Sequence, residues 1–403
     1  MLSSKSVAIY LDHNATTPID PAVADAMDGA LREDFGNASS VHGWGQRAKA
    51  RLDGARAAVA ALVGGDPTEI IFTGSGTEAD VLAVRGAAEA LEASGRRHLV
   101  ISTIEHEAVL QTARALARRG WDVSWLGVDR SGVIAPDALA ALVTDRTALV
   151  SVMLANNEVG TIQPIAALAA IAHARGALFH TDAVQAAGKL PLDVAALGVD
   201  LLAISGHKFS GPKGTGALWV RRGTRLIAQM TGGRQERNRR AGTENVPALV
   251  GLGVAAARAR TRLAEIDRVA TLRDTLERAL LAAVPGTHVN GRADTRVANT
   301  CNIGFEGIEA ESLVIAFDLE GIAVSTGSAC SSGTLEPSHV LKAMGLDPHD
   351  TQNAIRFSLG FSTTAEDVAR VVALTPGLVE RLRAVTAGAA SRGRDSALAS
   401  REG

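Results

Sequence analysis

The chain has 403 residues, of which 46% are hydrophobic and only 3% aromatic, with 41 glycines; this is enough for a large domain and a smaller one whose cores are closely packed Ala, Val, Leu and Ile. Lys and Arg number 41 against 43 Asp and Glu, a formal net charge of -2, so no strong field favours nucleic acid or an anionic membrane, and the expected partners are small molecules or proteins. No run reaches the roughly 18 apolar residues of a membrane span and residues 1–10 lack a long apolar signal core, so a cytoplasmic protein is expected.

Between residues 68 and 220, short β-branched or apolar runs at 69–72, 98–102, 148–153, 177–180 and 200–205 alternate with helical stretches, among them 78–93 and 165–175. This is the βαβ pattern of a mainly parallel sheet, and ligands of such sheets bind at the carboxyl ends of the strands. Pro164 suits the first turn of the second helix. A long helical tract at 247–283 then leads to strands at 300–305 and 323–325 and helices at 310–320 and 364–383. The expected organisation is an α/β fold in two parts: a large domain at 21–264, and a smaller α+β C-terminal domain at 265–385 that is joined by an N-terminal arm at 1–20. Residues 386–403 are rich in Ala, Ser, Gly and Arg with a single Leu, so that tail is expected to be disordered. No internal repeat is evident.

The most informative stretch is Ser205, Gly206, His207, Lys208, which closes the apolar run 201–204. A lysine beside a buried strand end can be neutral part of the time, as a covalent anchor for an aldehyde requires; a solvated loop lysine is the ordinary alternative. Ser205 and His207 can donate to an anion, and the glycines at 211, 214 and 216 keep the following loop tight. A phosphorylated aldehyde fits, which points to pyridoxal 5'-phosphate. Thr73, Gly74, Ser75, Gly76 and Thr77 lie between a strand and a helix, where backbone N–H groups can cradle a phosphate; a plain connecting turn fits that segment equally.

Asp182 follows an apolar strand, where an unpaired carboxylate is costly and a pyridinium nitrogen would be a suitable partner; helix capping is the alternative. Gln185 can reach a ring oxygen or be solvated. His106, after the 98–102 strand, can stack on a ring and move protons, or lie free on the surface. Asn156 and Asn157 suit a ring oxygen or substrate carboxylate, or a turn. Arg356 is a charged residue inside an apolar alternating segment, and meets either a substrate carboxylate or a structural one.

Only Cys301 and Cys330 occur, too few for a disulfide framework and without metal-ligand spacing, so no metal is expected. Cys301 lies in an alternating strand segment and reads as a buried, inert thiol. Cys330 lies in a run of Ser, Thr, Gly and Ala from 325 to 333, the composition of a mobile loop, and suits a nucleophile.

Across residues 9–376 the chain resembles the pyridoxal-phosphate cysteine desulfurases of the NifS/IscS-like group within the class V aminotransferase superfamily. The matching segments are YLDHNATTP from Tyr10, FGNASSVH from Phe35, EHEAV from Glu105, NNEVG from Asn156, DAVQ from Asp182, SGHKFSGPKGTG from Ser205, RAGTEN from Arg240, STGSAC from Ser325 and IRFSLG from Ile355. The resemblance implies a fold-type I homodimer whose large domain carries a mainly parallel seven-stranded sheet. It implies Lys208 as covalent anchor, Asp182 on the ring nitrogen and His106 over the ring, with Asn157 and Gln185 bonding cofactor or substrate. Gly76, Thr77, Ser205 and His207 would bind the phosphate, Thr243 would reach the phosphate of the neighbouring subunit, and Arg356 would hold the carboxylate of L-cysteine. Sulfur would pass to Cys330 as a persulfide, with L-alanine released, and then to an acceptor protein such as an iron-sulfur scaffold or a tRNA-thiolation enzyme. The chain departs from the group in reordering the small residues at 74–77, in Arg234 where a third glycine is common, and in its tail, which does not resemble the extension that docks the scaffold in some members. Within the same superfamily a selenocysteine lyase or an aminotransferase is the alternative. A non-catalytic scaffold fits poorly with Lys208, Asp182, His106 and Cys330 occurring together.

Overall fold

The computed structural model describes residues 9–327 and 337–399, with side chains described as far as residue 385. Its centre is a seven-stranded sheet in the order Ile70–Thr73, Gly216–Val220, Leu201–Ser205, Leu178–Asp182, Thr147–Ser151, His98–Ser102, Asp122–Leu126. Gly216–Val220 runs antiparallel to both its neighbours and all other pairings are parallel. The interior strands are buried on both faces, which is why they read as continuous apolar runs. Phe179, Leu202 and Ile204 feed one core, while Leu201, Ala203 and Leu218 feed the other. The expected α/β architecture is therefore present.

Small residues let helices lie close together. A Cβ at Gly253, in the helix Val246–Arg262, would stand 2.5 Å from Ala55 Cα in the helix Gly43–Val63, and one at Gly251 would stand 2.6 Å from Met27 Cγ in Pro21–Glu33. Close helix packing of this kind supplies burial without aromatics.

A second core surrounds an antiparallel sheet in the order Ala354–Ser358, Thr300–Phe305, Thr287–Asn290. Leu276, Phe305, Phe317, Phe357 and Val371 fill it, joined by Ile9 and Leu11 from the N-terminal arm. That arm pairs Ile9–Tyr10 in parallel with Ile322–Ala323.

Local differences from expectation have physical reasons. The 247–283 tract is two helices, Val246–Arg262 and Ile266–Ala283, separated by a 3₁₀ turn at Leu263–Glu265; no proline or glycine marks the break. Pro164 occupies the N-cap of Ile165–Ala174 and not its first turn. The strand placed at 323–325 is Ile322–Ala323. The final helix, Ala365–Ala399, runs through most of the tail expected to be disordered. Ala and Arg are strong helix formers, and the turns buried at Val368, Val371, Leu378 and Val379 provide a nucleus from which the helix continues. Among the described residues no helix is long and apolar enough to cross a membrane.

Candidate active site

The carboxyl ends of the large sheet bring the two glycine-rich segments side by side. Thr73 and Ser205 are both register partners of Gly216, and a Cβ on Gly216 would come within 2.5 Å of the Ser75 carbonyl. Ser75 caps the helix Gly76–Leu91 by accepting from Glu78 N at 3.0 Å. At its first residue, a Cβ on Gly76 would sit 3.1 Å from Ser205 Cβ and 3.0 Å from Val184 Cγ2. A side chain there would crowd Ser205 and Val184, so glycine keeps the turn open where the two segments approach. Thr77 follows on the exposed side of the turn. Glu78 Oε1 accepts from Arg240 Nε at 2.8 Å and Glu78 Oε2 accepts from Gly74 N at 2.7 Å. That ion pair ties the segment carrying the exposed Thr243 to the cradle.

Lys208 lies in the 3₁₀ turn Gly206–Lys208, directly after its strand. Its amine donates to the carbonyls of Asn14 at 2.6 Å and Ala15 at 2.8 Å. Burial, then the Arg356 charge, lower its pKa to about 8. The neutral form is therefore accessible near physiological pH. His207 contacts Thr16 Oγ1 through Nδ1 at 3.2 Å, and burial followed by the Lys208 charge lowers it to about 4, so its imidazole is neutral. A cavity of about 480 Å³ borders Lys208, Lys189, His13 and Phe361.

The N-terminal arm stitches the two cores together at this point. Asn14 N donates to Ser358 Oγ at 3.0 Å, and Asn14 Nδ2 donates to Thr300 Oγ1 at 2.8 Å and to the Asn157 carbonyl at 3.1 Å. Asn14 also accepts from the other direction: Gln185 Nε2 donates to its carbonyl at 2.8 Å. Gln185 is buried, so the solvated alternative does not hold.

Asp182 ends its strand fully buried, with Oδ1 accepting from Val184 N at 2.8 Å. The turn-capping alternative is therefore realised at this oxygen. Burial raises its pKa, opposed by the nearby charges of His106 and Lys208. Below it, Glu105 and Asp80 are also buried and are raised well above the carboxylate range, first by burial and then by the Asp182 charge. Glu105 accepts from Met153 N at 2.5 Å, while among the described residues its second oxygen and Asp80 Oδ1 have no hydrogen-bond partner, the latter lying 3.4 Å from His180 Nε2. His106 is exposed and caps the helix Glu107–Ala117, its Nδ1 accepting from Ala108 N at 3.1 Å. That bond leaves Nε2 as the position for exchangeable protons.

Arg356, 3% exposed, meets a structural carboxylate, the second of the two partners expected for it. Nη2 donates to Asp12 Oδ1 at 2.6 Å and Nη1 to the Asn157 carbonyl at 3.0 Å, while Nε is buried with no partner among the described residues. Asn156 spends its amide on the turn, accepting from Glu158 N and Val159 N and donating to the Ile104 carbonyl, which leaves Asn157 as the candidate of the pair. Cys301 is fully buried and its thiol is pushed up to about 12 by burial, the inert state expected of it. Cys330 lies outside the described residues; the chain enters that segment from Gly327, whose carbonyl is 3.5 Å from Arg356 Nη1.

Sequence reasoning left Asp12, Asn14, Asp80 and Lys189 without roles. Asp12 and Asn14 stand in the YLDHNATTP segment, so a signal existed. Lys189 had only its oddity, a lysine within the apolar run 186–192.

The strand ends thus bring together a glycine-lined turn, a buried acid and a depressed lysine, and the comparisons place the chain in an enzyme family. The model of the aminotransferase class-V family matches residues 9–371, and the chain belongs to that family. It is 46% identical over 383 residues to a cysteine desulfurase IscS from Methanosarcina thermophila, an alignment spanning 95% of this chain and 94% of the relative. Among solved structures, a NifS-like protein superposes with a TM-score of 0.86 at 36% identity, covering 94% of this chain and 100% of that one. SspA in complex with cysteine superposes at 0.76 with 34% identity, covering 87% and 98%.

Proposed function

We propose that this chain is a cysteine desulfurase, a sulfurtransferase that takes the sulfur of L-cysteine onto Cys330 as a persulfide and releases L-alanine. The observation that carries the reading is the convergence at one sheet edge of Gly76 against Ser205, the buried Asp182 carboxylate, and Lys208 lowered to about 8. Similarity over nearly the whole chain to relatives named cysteine desulfurase supports it, as does the cysteine-bound neighbour.

The family generally depends on pyridoxal 5'-phosphate, and the residues present fit that group. Gly76 keeps the turn beside Ser205 open, Asp182 is a buried carboxylate that accepts from the Val184 backbone amide, and the Lys208 amine donates to two backbone carbonyls. Gly76, Thr77, Ser205 and His207 would hold the phosphate, with Thr243 serving the partner subunit of a homodimer. Lys208 would hold the aldehyde, Asp182 the ring nitrogen, His106 the ring face, and Gln185 and Asn157 the polar edge. When bound, the cofactor withdraws electrons from the substrate Cα, which makes the Cα proton acidic and the Cβ–sulfur bond cleavable.

The chain's own groups then have defined tasks. Arg356 offers its unpartnered Nε and its Nη atoms to the substrate carboxylate, orienting L-cysteine. Lys208, neutral part of the time, accepts the Cα proton, and His106 Nε2 exchanges protons at the exposed rim. The Cys330 thiolate attacks the substrate sulfur: the new S–S bond forms as the Cβ–S bond breaks, the electron pair passes to the carbon skeleton, and protonation there completes L-alanine. The persulfide sulfur passes to an acceptor protein, an iron-sulfur scaffold or a tRNA-thiolation enzyme, in the cytoplasm. In this reading residues 21–264 bind the cofactor, and 265–385 carry the cysteine segment.

The test is turnover of L-cysteine by cofactor-loaded protein with a thiol reductant. Sulfide and L-alanine are expected in equal amounts, with Cys330→Ser losing sulfide release by roughly 100-fold or more. Pyruvate or another keto acid as the main product would instead mark an aminotransferase or lyase.

A further inference from the structure

One buried ionisable side chain has no task in this scheme. Lys189 is 7% exposed and lies four residues after Gln185. Its Nζ donates to Gln185 Oε1 at 2.5 Å and to Asn14 Oδ1 at 3.2 Å. Burying a lysine amine against apolar chain is costly. Here both acceptors are neutral amide oxygens, so no carboxylate compensates through those bonds.

The cost secures an orientation. A glutamine amide has two nearly isosteric faces, an oxygen that accepts and an NH₂ that donates. With Oε1 taken by Lys189, the NH₂ turns the other way and donates to the Asn14 carbonyl at 2.8 Å, the same oxygen that accepts from Lys208 Nζ at 2.6 Å. An N–H of Gln185 is thereby held next to the Lys208 amine. Asn14 is fixed by the same amine, since its Oδ1 accepts from Lys189 and from Asn299 Nδ2 at 3.0 Å while its Nδ2 donates elsewhere. Burial, then the Lys208 and Arg356 charges, hold Lys189 well below the usual lysine range. Even a neutral amine keeps two N–H donors for these two acceptors, so the lock does not need the charge.

We propose that Lys189 is a positioning residue: by donating to Gln185 Oε1 and Asn14 Oδ1 it locks the Gln185 amide so that an N–H, never a lone pair, is presented beside Lys208 to the ring oxygen of the cofactor. The proposal rests on the pyridoxal-phosphate reading given above. Loss of the lock lets the amide flip and removes a donor that stabilises negative charge on that oxygen.

The readout is the pH midpoint of the visible absorption change of the cofactor-loaded protein. Lys189→Met keeps the absorption band, and its midpoint rises by roughly one pH unit, the size of one hydrogen bond to a charged group. Gln185→Ala produces a similar rise, and adding Lys189→Met to it produces no more, because the two act through one bond. Lys189→Gln retains a donor without a charge and stays near the wild-type midpoint; if Lys189→Met fails to fold, Lys189→Leu, which likewise removes the donor, takes its place with the same expected rise. Additive shifts in the double variant, or a Lys189→Gln midpoint as high as that of Lys189→Met, would show a charge effect on Lys208 and overturn the proposal. An unchanged midpoint in Lys189→Met would overturn it too. Wild-type protein that takes up no cofactor would instead overturn the functional reading itself.

Discussion

Beside the strand ends of the large sheet, Asp182, Glu105 and, on the helix Gly76–Leu91, Asp80 are buried carboxylates; Asp182 and Glu105 accept from backbone amides, and Asp80 Oδ1 lies 3.4 Å from His180 Nε2. Nearby, the half-buried Lys208 and the buried Lys189 and Arg356 are basic groups held by carbonyls and amide oxygens, with Asp12 on the last of them. Acids and bases of opposite charge are both present, yet those two trios are not hydrogen-bonded to each other. Burial drives each set toward neutrality, raising the acids and lowering the lysines. A folded protein that needed only stability would join them or replace them. Kept apart, they suit a ligand with a cationic ring nitrogen at one end and anionic groups at the other.

The largest test of this separation is Lys208→Ala. Borohydride then fixes no cofactor to the protein, and sulfide release falls by roughly 1000-fold or more. Asp182→Asn attacks the acidic side: the cofactor still binds through its phosphate, while kcat falls by roughly 100-fold or more as the electron-withdrawing power of the ring is lost. An Asp182→Asn variant with wild-type kcat would show that the buried acids are structural. Arg356→Lys keeps the charge but loses the planar fork, so KM for L-cysteine rises by about 10-fold or more with a smaller change in kcat.

A subtler test is pH. Lys208 is depressed from 10.5 to about 8 in the folded chain. Between those values the unfolded chain binds the proton and the folded one does not, so this group makes cofactor-free protein more stable as pH rises through that window. Below about 8 both states are protonated and the dependence disappears. The difference in urea midpoint between wild type and Lys208→Met follows that curve, and a flat difference contradicts the depressed value. The smallest effect belongs to Cys301→Ala. Its thiol, pushed up to about 12, stays unmodified by iodoacetamide at pH 8, and the variant loses about 1–2 kcal/mol of stability from the small cavity while keeping its turnover.

The strand ending at Ser205 was legible because a strand covered on both faces is apolar throughout and stops where polarity returns. The neighbouring strand Gly216–Val220 was hidden by the run of glycines at 211, 214 and 216, which reads as loop although Gly216 opens the strand and serves close approach to Ser75. The break at Leu263–Glu265 carries no glycine or proline, so nothing in the local sequence announces it. In the site, Lys208, Asp182 and Gly76 announced themselves through local context. Asn14 and Lys189 did not, because their importance lies in contacts across 171 residues to Gln185 and 175 to Asn14, which no local pattern encodes.

The central claim is that sulfur leaves L-cysteine for Cys330. Protein loaded with cofactor and given L-cysteine labelled at sulfur, without reductant, then digested and analysed by mass spectrometry, tests it directly. The account predicts one extra labelled sulfur atom on the peptide containing Cys330, one L-alanine per site, and no label on the Cys301 peptide. Alanine formed with no sulfur retained on Cys330, or equal labelling in Cys330→Ser, would contradict it.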